Sequence, residues 1–246
     1  MASSSLLDKF MPPLLAGDRA VCRTIVQKEL ARRKVANDLY TEFLWPAMDR
    51  VEKLFKGDRI NAASEHMATR ITRSIADQLQ PHLRVEPPDG KRMILLCAEG
   101  EPEELGAQMT ADLFEARGWT VYFLGSGVPN DEVLSLLGQL RPELLLIFGT
   151  KPSGVPGVRK LIDLIRDIDV NPTMNIMCSG GVFNRADGLW KEVNADLIAK
   201  TAQEAIPIAD AAEPRKSVPK PVGAPKKRRR RRRPPLLAAA EAEAKK

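Results

Sequence analysis

The residues of greatest chemical potential in this 246-residue chain lie near residue 100, where Glu101, Glu103 and Glu104 follow a run of apolar residues. Closely spaced carboxylates can divide acid and base roles or bind a hard cation. The same residues also suit the opening turn of a helix, whose positive end favours acidic side chains. A second chemical position is Glu65-His66. Its imidazole can serve as base or metal ligand, or can simply be held by a neighbouring carboxylate in a helical bundle. Cys22, Cys97 and Cys178 are too scattered for a disulfide framework. Cys97 and Cys178 end apolar runs, which suits buried reduced thiols and a cytoplasmic protein. No Ser-His-Asp order, Cys-x-x-Cys pair, phosphate loop or zinc spacing occurs, so the sequence points away from a self-sufficient enzyme.

Charge is divided unevenly. The chain carries +6 formally, but 13 basic and 2 acidic residues from Pro214 onward leave the preceding 213 residues at −5. A basic domain for nucleic acid is therefore excluded as an account of the whole chain. The tail concentrates its charge in Lys226, Lys227, Arg228, Arg229, Arg230, Arg231, Arg232 and Arg233. Such a block holds any polyanion, nucleic acid included, by counterion release and without sequence selectivity. It can equally be a solvated tail or a partner for the acidic body. Rich in Pro, Lys, Arg and Ala, residues 213–246 are expected to be disordered, since they bury too little apolar surface to offset ordering entropy.

The elements that must position these residues fall into two groups. Residues 12–83 show helical spacing without strand-like runs. Asp18 can cap a helix carrying Val21, Ile25, Val26 and Leu30. A second helix fits Leu39, Phe43, Met48, Val51, Leu54 and Phe55, mostly at three- and four-residue steps, ended by Gly57. A third begins at Asn61 or Ser64 and carries Met67, Ile71, Ile75 and Leu79. These predict a small antiparallel helical bundle. Pro81, Pro87 and Pro88 mark a linker, His82 with them. Across 91–212 the period changes. Apolar runs at Met93–Cys97, Thr120–Leu124, Leu144–Phe148, Asn175–Cys178 and Asp196–Ala199 alternate with helical stretches at Glu103–Arg117, Asp131–Leu140, Val158–Ile168, Asn184–Val193 and Ala202–Ala212. The pattern predicts an α/β domain with a doubly wound, five-stranded parallel sheet of flavodoxin-like type. Ligand loops then lie at the carboxyl ends of the strands, where Gly100, Gly125, Gly127, Gly149, Gly180 and Gly181 stand. No apolar run approaches the roughly 20 residues of a membrane span, and no secretion signal opens the chain.

A helical bundle feeding such a sheet, together with three segments, resembles the cobalamin-binding domains of light-sensing MerR-type regulators and corrinoid methyltransferase modules. Residues 44–70 are similar to the family's helical cap, whose pattern is an aromatic, nine residues, then Glu-His; here that is Phe55 and Glu65-His66. Residues 98–129 resemble the first loop and helix of the cobalamin fold, and MCSGGVFN at 177–184 its Gly-Gly strand end. The resemblance implies cobalamin as cofactor, between the cap and the sheet's carboxyl edge. Carried over, the family's contacts fall on Phe55, Glu65, His66, Glu101, Glu103, Gly106, Gly125, Phe148, Thr150, Gly180 and Gly181. Gly106, Gly180 and Gly181 could equally be demanded by their turns.

Several positions depart from the family pattern. Its loop motif, Asp/Glu-x-His-x-x-Gly, places a His beneath cobalt; here residues 101–106 carry Glu103 at that place. A carboxylate is harder than imidazole and offers no neutral nitrogen lone pair. The family's Ser-x-Leu/Thr, which lines the channel for the cofactor's nucleotide tail, aligns with Phe148-Gly149-Thr150, so a ring stands where a hydroxymethyl is expected. The cap's usual Trp is Phe55. On these residues the expectation is a sensory or regulatory cobalamin-binding protein acting through a protein partner or homo-oligomer. A corrinoid carrier subunit of a methyltransferase or mutase system is the first alternative, weighed down by the missing His. A cofactor-free binding module is the second, and a haem site with His66 as nitrogen ligand a related one.

Overall fold

Two prolines sit inside the first helix of this protein. The computed structural model describes residues 2–32, 35–101 and 103–216; the expected disordered tail beyond 216, with its basic block, lies outside the described residues. Helix α1, Ala2–Ala16, contains Pro12 and Pro13, although proline costs a helix interior about 3 kcal/mol. Burial outweighs that cost. Phe10, Met11 and Leu14 are buried, and the Phe10 ring packs on Phe43 with centroids 4.7 Å apart. The bundle thus begins before Pro12, where proline read as a boundary. Helix α2, Arg19–Arg32, opens as expected, with Asp18 Oδ1 accepting from Val21 N at 3.0 Å.

The next helical stretch is not continuous. A short α3, Asn37–Leu39, runs through a π-helical turn, Tyr40–Leu44, into α4, Trp45–Lys56. Trp45 N donates to Tyr40 O, five residues back. Pro46 follows directly, and a widened turn accommodates its ring and missing N–H. The extra residue rotates α4, so that Ala47 and Val51 enter the core while Trp45, Met48, Asp49 and Glu52 share another face. Helix α5, Ala62–Leu79, is capped by Asn61, whose Oδ1 accepts from Ser64 N at 2.9 Å, worth about 1 kcal/mol.

The second part is a five-stranded parallel sheet, as the alternating pattern predicts. Its strands are β1 Arg92–Cys97, β2 Thr120–Gly125, β3 Leu144–Phe148, β4 Asn175–Ser179 and β5 Leu197–Ala199, in the order β2-β1-β3-β4-β5. Between and after them lie α6 Leu105–Ala116, α7 Asn130–Leu140, α8 Val155–Ile168, α9 Gly181–Arg185, α10 Leu189–Glu192 and α11 Ala202–Ala211. The helix expected over 184–193 is split by Gly188, which has φ 81°. Strand alternation divides the core into two layers. Met93, Leu95, Cys97 and Phe148 face α6 and α11, while Ile94, Leu96 and Ile147 face α7 and α8.

Helix α6 joins both parts. One side covers the sheet through Ala107, Ala111 and Phe114; the other places Leu105, Met109 and Leu113 in the bundle's core. Deep in this seam Tyr40 Oη lies 2.8 Å from Ala76 O and 2.9 Å from Asp112 Oδ2. The Tyr40 hydroxyl donates within reach of both acceptors, and one proton cannot serve both at once. Burial, with Glu115 and Asp77 adding repulsion, pushes the Asp112 carboxyl up to about 6 against the opposing Tyr40 hydrogen bond.

Candidate functional site

The cap overhangs the carboxyl edge of the sheet and leaves a cleft of about 470 Å³. The rotated face of α4 supplies Trp45, Met48, Asp49 and Glu52, and α5 supplies Glu65 and Thr69. From below come Glu103, Gly106 and Met109, then Phe148, Thr150, Gly180, Gly181 and Lys200 around the strand ends. The structure therefore brings together Glu65, Glu103, Gly106, Phe148, Thr150, Gly180 and Gly181 of the expected set. It does not bring Phe55, which is 40% exposed at the far end of α4, or His66, whose side chain is 72% exposed and 3.6 Å from Glu65. The haem alternative loses its nitrogen ligand with that placement. Gly125 lines a separate crevice of about 250 Å³ with Glu99, Gly127 and Lys160.

Trp45 is the cap aromatic that reaches the cleft. The motif spacing counts back from Glu65 to Phe55 at the end of α4, whereas Trp45 opens that helix directly after the π turn.

The three loop carboxylates go to three different partners. Glu101, 5% exposed, accepts from Thr150 N at 2.7 Å and Thr150 Oγ1 at 2.6 Å, fixing the loop after β3. Glu104 accepts from Ser126 N at 2.6 Å and lies so close to Gly125 that a Cβ there would meet Oε1 at 2.8 Å. Glu103 Oε1 accepts from Arg73 Nη2 at 2.7 Å and from Leu105 N at 2.8 Å, joining α5 to the start of α6. Arg73 engages through that nitrogen while its buried Nε has no partner. These carboxylates are struts. Among the described residues no group of three or more His, Cys, Asp and Glu is placed to hold a metal ion.

Phe148 and Gly106 are also coupled. The ring is 7% exposed, and a Cβ on Gly106 would lie 2.6 Å from its Cζ, so glycine there makes room for the ring. Gly180, at φ 100°, has a different cause: a Cβ would sit 2.4 Å from Gly149 O. Arg185 crosses the mouth, with Nη2 donating to Thr150 O at 2.6 Å and Nη1 3.6 Å from Glu52. Burial, reinforced by Glu52 and opposed by Lys53, raises the Asp49 carboxyl above its ordinary range. The three cysteines are free and buried, as expected for Cys97 and Cys178; burial first, then nearby carboxylates, pushes Cys97 up to about 12, away from the thiolate a metal needs.

Two signatures, each described as a B12 binding domain, match residues 7–80 and 91–209. The chain belongs to the B12-binding domain family. The cofactor expectation, cobalamin, is borne out with it. Among solved structures, the Methanosarcina barkeri monomethylamine corrinoid protein superposes with a TM-score of 0.76 at 22% identity, covering 84% of this chain and 97% of that one. The expected order of helical part and parallel sheet is that fold. Monomethylamine corrinoid protein 1 of Methanosarcina mazei is 24% identical over 215 residues, 85% of this chain and 98% of that protein. The transcriptional repressor CarA of Myxococcus xanthus is 29% identical over only 91 residues, 37% of this chain and 31% of the repressor. The expected sensory and regulatory role is thereby overturned: end-to-end similarity is to corrinoid proteins. Among the described residues no helix is long and apolar enough to cross a membrane.

The residues of the cleft fit this cofactor in part. Trp45, Met48 and the Gly180-Gly181 edge offer apolar and backbone surface to a planar ring, but among the described residues no His or Cys lines the cleft, and Phe148 packs on Gly106.

Proposed function

We propose that this chain is a corrinoid carrier subunit that presents its cofactor to a methyltransferase partner. The observation carrying this reading is the cleft under the cap in a chain that matches monomethylamine corrinoid proteins over 98% of their length. A bound corrinoid supplies a cobalt centre that accepts and releases a one-carbon group. The protein's part is to hold and shield it. Trp45 and Met48 would give a planar ring an apolar surface, and Gly180-Gly181 would allow it close approach to backbone. Asp49, Glu52, Asn184 and Lys200 can meet amide groups around the rim. The Glu52–Arg185 contact across the mouth is about half-exposed, worth less than about 1 kcal/mol, so it does not lock the cap against a partner.

The test is to mix purified protein with hydroxocobalamin and methylcobalamin, separate free ligand and record the absorption spectrum. One corrinoid retained per chain is expected. Retention of none would contradict the proposal and favour a cofactor-free binding module.

A further inference from the structure

The floor of the cleft restricts which part of a corrinoid the protein can hold. The polar groups of the floor are already committed to protein. Glu101 holds Thr150 through its N–H and hydroxyl, Glu103 holds Arg73 and Leu105 N, and Ser179 Oγ donates to Ala199 O at 2.9 Å. Between α6 and β3 the buried Phe148 ring packs directly on Gly106 and occupies the space there. Interiors are packed too densely for a second ring system to enter beside it. Neither described histidine reaches the floor: His66 is on the outer side of α5, and His82 is exposed in the linker. Cys97 and Cys178 are buried, and burial raises both thiols far from the ionised state a metal requires.

Building on the carrier function, on which it rests, we infer that corrinoid recognition in this protein ends at the ring: the chain gives no nitrogen to cobalt, and the ligand's nucleotide arm stays outside the fold. The site therefore accepts corrinoids as a class, whether complete or lacking the nucleotide. Glu103 acts here as a positioning residue that fastens the loop to the cap, in place of a ligand. Phe148 acts as the plug.

The test uses the full chain with two probes, hydroxocobalamin and the nucleotide-free diaquocobinamide. Affinities are measured by spectral titration. Each loaded protein is then reduced to the cobalt(II) state, and its paramagnetic resonance spectrum is compared between unlabelled and nitrogen-15-labelled protein. The expected result is affinities within about tenfold of one another, and a nitrogen pattern on cobalt that labelling leaves unchanged. A triplet becoming a doublet on labelling the protein would overturn the inference, because a protein nitrogen would be bound. Cobinamide weaker by more than about tenfold would also overturn it, because the nucleotide would then be held. Retention of neither probe would instead overturn the carrier reading itself. The double variant Glu103→His with Phe148→Ser should gain label-dependent splitting and a preference for cobalamin; the wild-type measurement stands should that variant not fold.

Discussion

The loop after β1 and the loop after β4 border the same cleft but owe their residues to different causes. After β4, Gly180 is required by the backbone, since any Cβ would run into Gly149 O. After β1, the three glutamates are side-chain struts, each with its own partner, in the loop after β2, in the loop after β3 or on the cap. A position dictated by backbone keeps its residue whatever the cleft holds. A position dictated by side-chain chemistry is free to change, and Glu103 spends its carboxylate on fastening α5 to the start of α6.

The largest effect should come from the floor. Phe148→Ala removes a buried ring, and chemical denaturation should show a loss of about 3–5 kcal/mol. A loss below about 1 kcal/mol would mean that the ring does not close the groove. Next comes the seam beneath both loops. Asp112 has a native carboxyl raised to about 6, so the folded state binds the proton more tightly than the unfolded one. Its contribution is full below about pH 4 and lost as pH rises through 6, amounting to about 3 kcal/mol. Asp112→Asn should therefore equal wild type near pH 4 and exceed it at pH 7, measured by denaturation at each pH. Equal curves at both would remove the proton from the seam.

The two loops can then be contrasted directly. Gly180→Ala should cost about 1–3 kcal/mol from its strained φ and more from the clash, whereas Gly100→Ala, at φ 71° with open space around it, should cost about 1 kcal/mol. Similar losses at both would break the claim that β4's loop is set by backbone contact. The smallest effect belongs to Glu103→Gln. Its pair with Arg73 is partly exposed, so the loss should be about 0.5–1 kcal/mol and should shrink at high salt.

Most of the fold was legible because the sheet is parallel and covered on both faces, so its strands are short apolar runs. The run Leu144–Phe148 is strand β3 without adjustment. Helix α1 was not legible, since Pro12 and Pro13 signal a boundary locally and only the burial of Phe10 and Leu14 overrides them. The structure brings the expected Gly180, Gly181 and Gly106 to the cleft; backbone contact demands glycine at Gly180, and the Phe148 ring demands it at Gly106. Phe55 lies at the far end of α4, and the nine residues between it and Glu65 span the break between α4 and α5. The π turn before Trp45 alters which side of α4 faces the cleft. The partners of Glu101, Glu103 and Glu104 lie 49, 30 and 22 residues away, distances over which local sequence says nothing.

The central claim is that a corrinoid lies in this cleft beneath Trp45. It is tested most directly by the cobalamin dissociation constant of Trp45→Ala beside Phe55→Ala, each confirmed as folded by thermal melting. The account predicts at least about tenfold weaker binding for Trp45→Ala and wild-type binding for Phe55→Ala. Unchanged binding by Trp45→Ala, or weakening confined to Phe55→Ala, would contradict it.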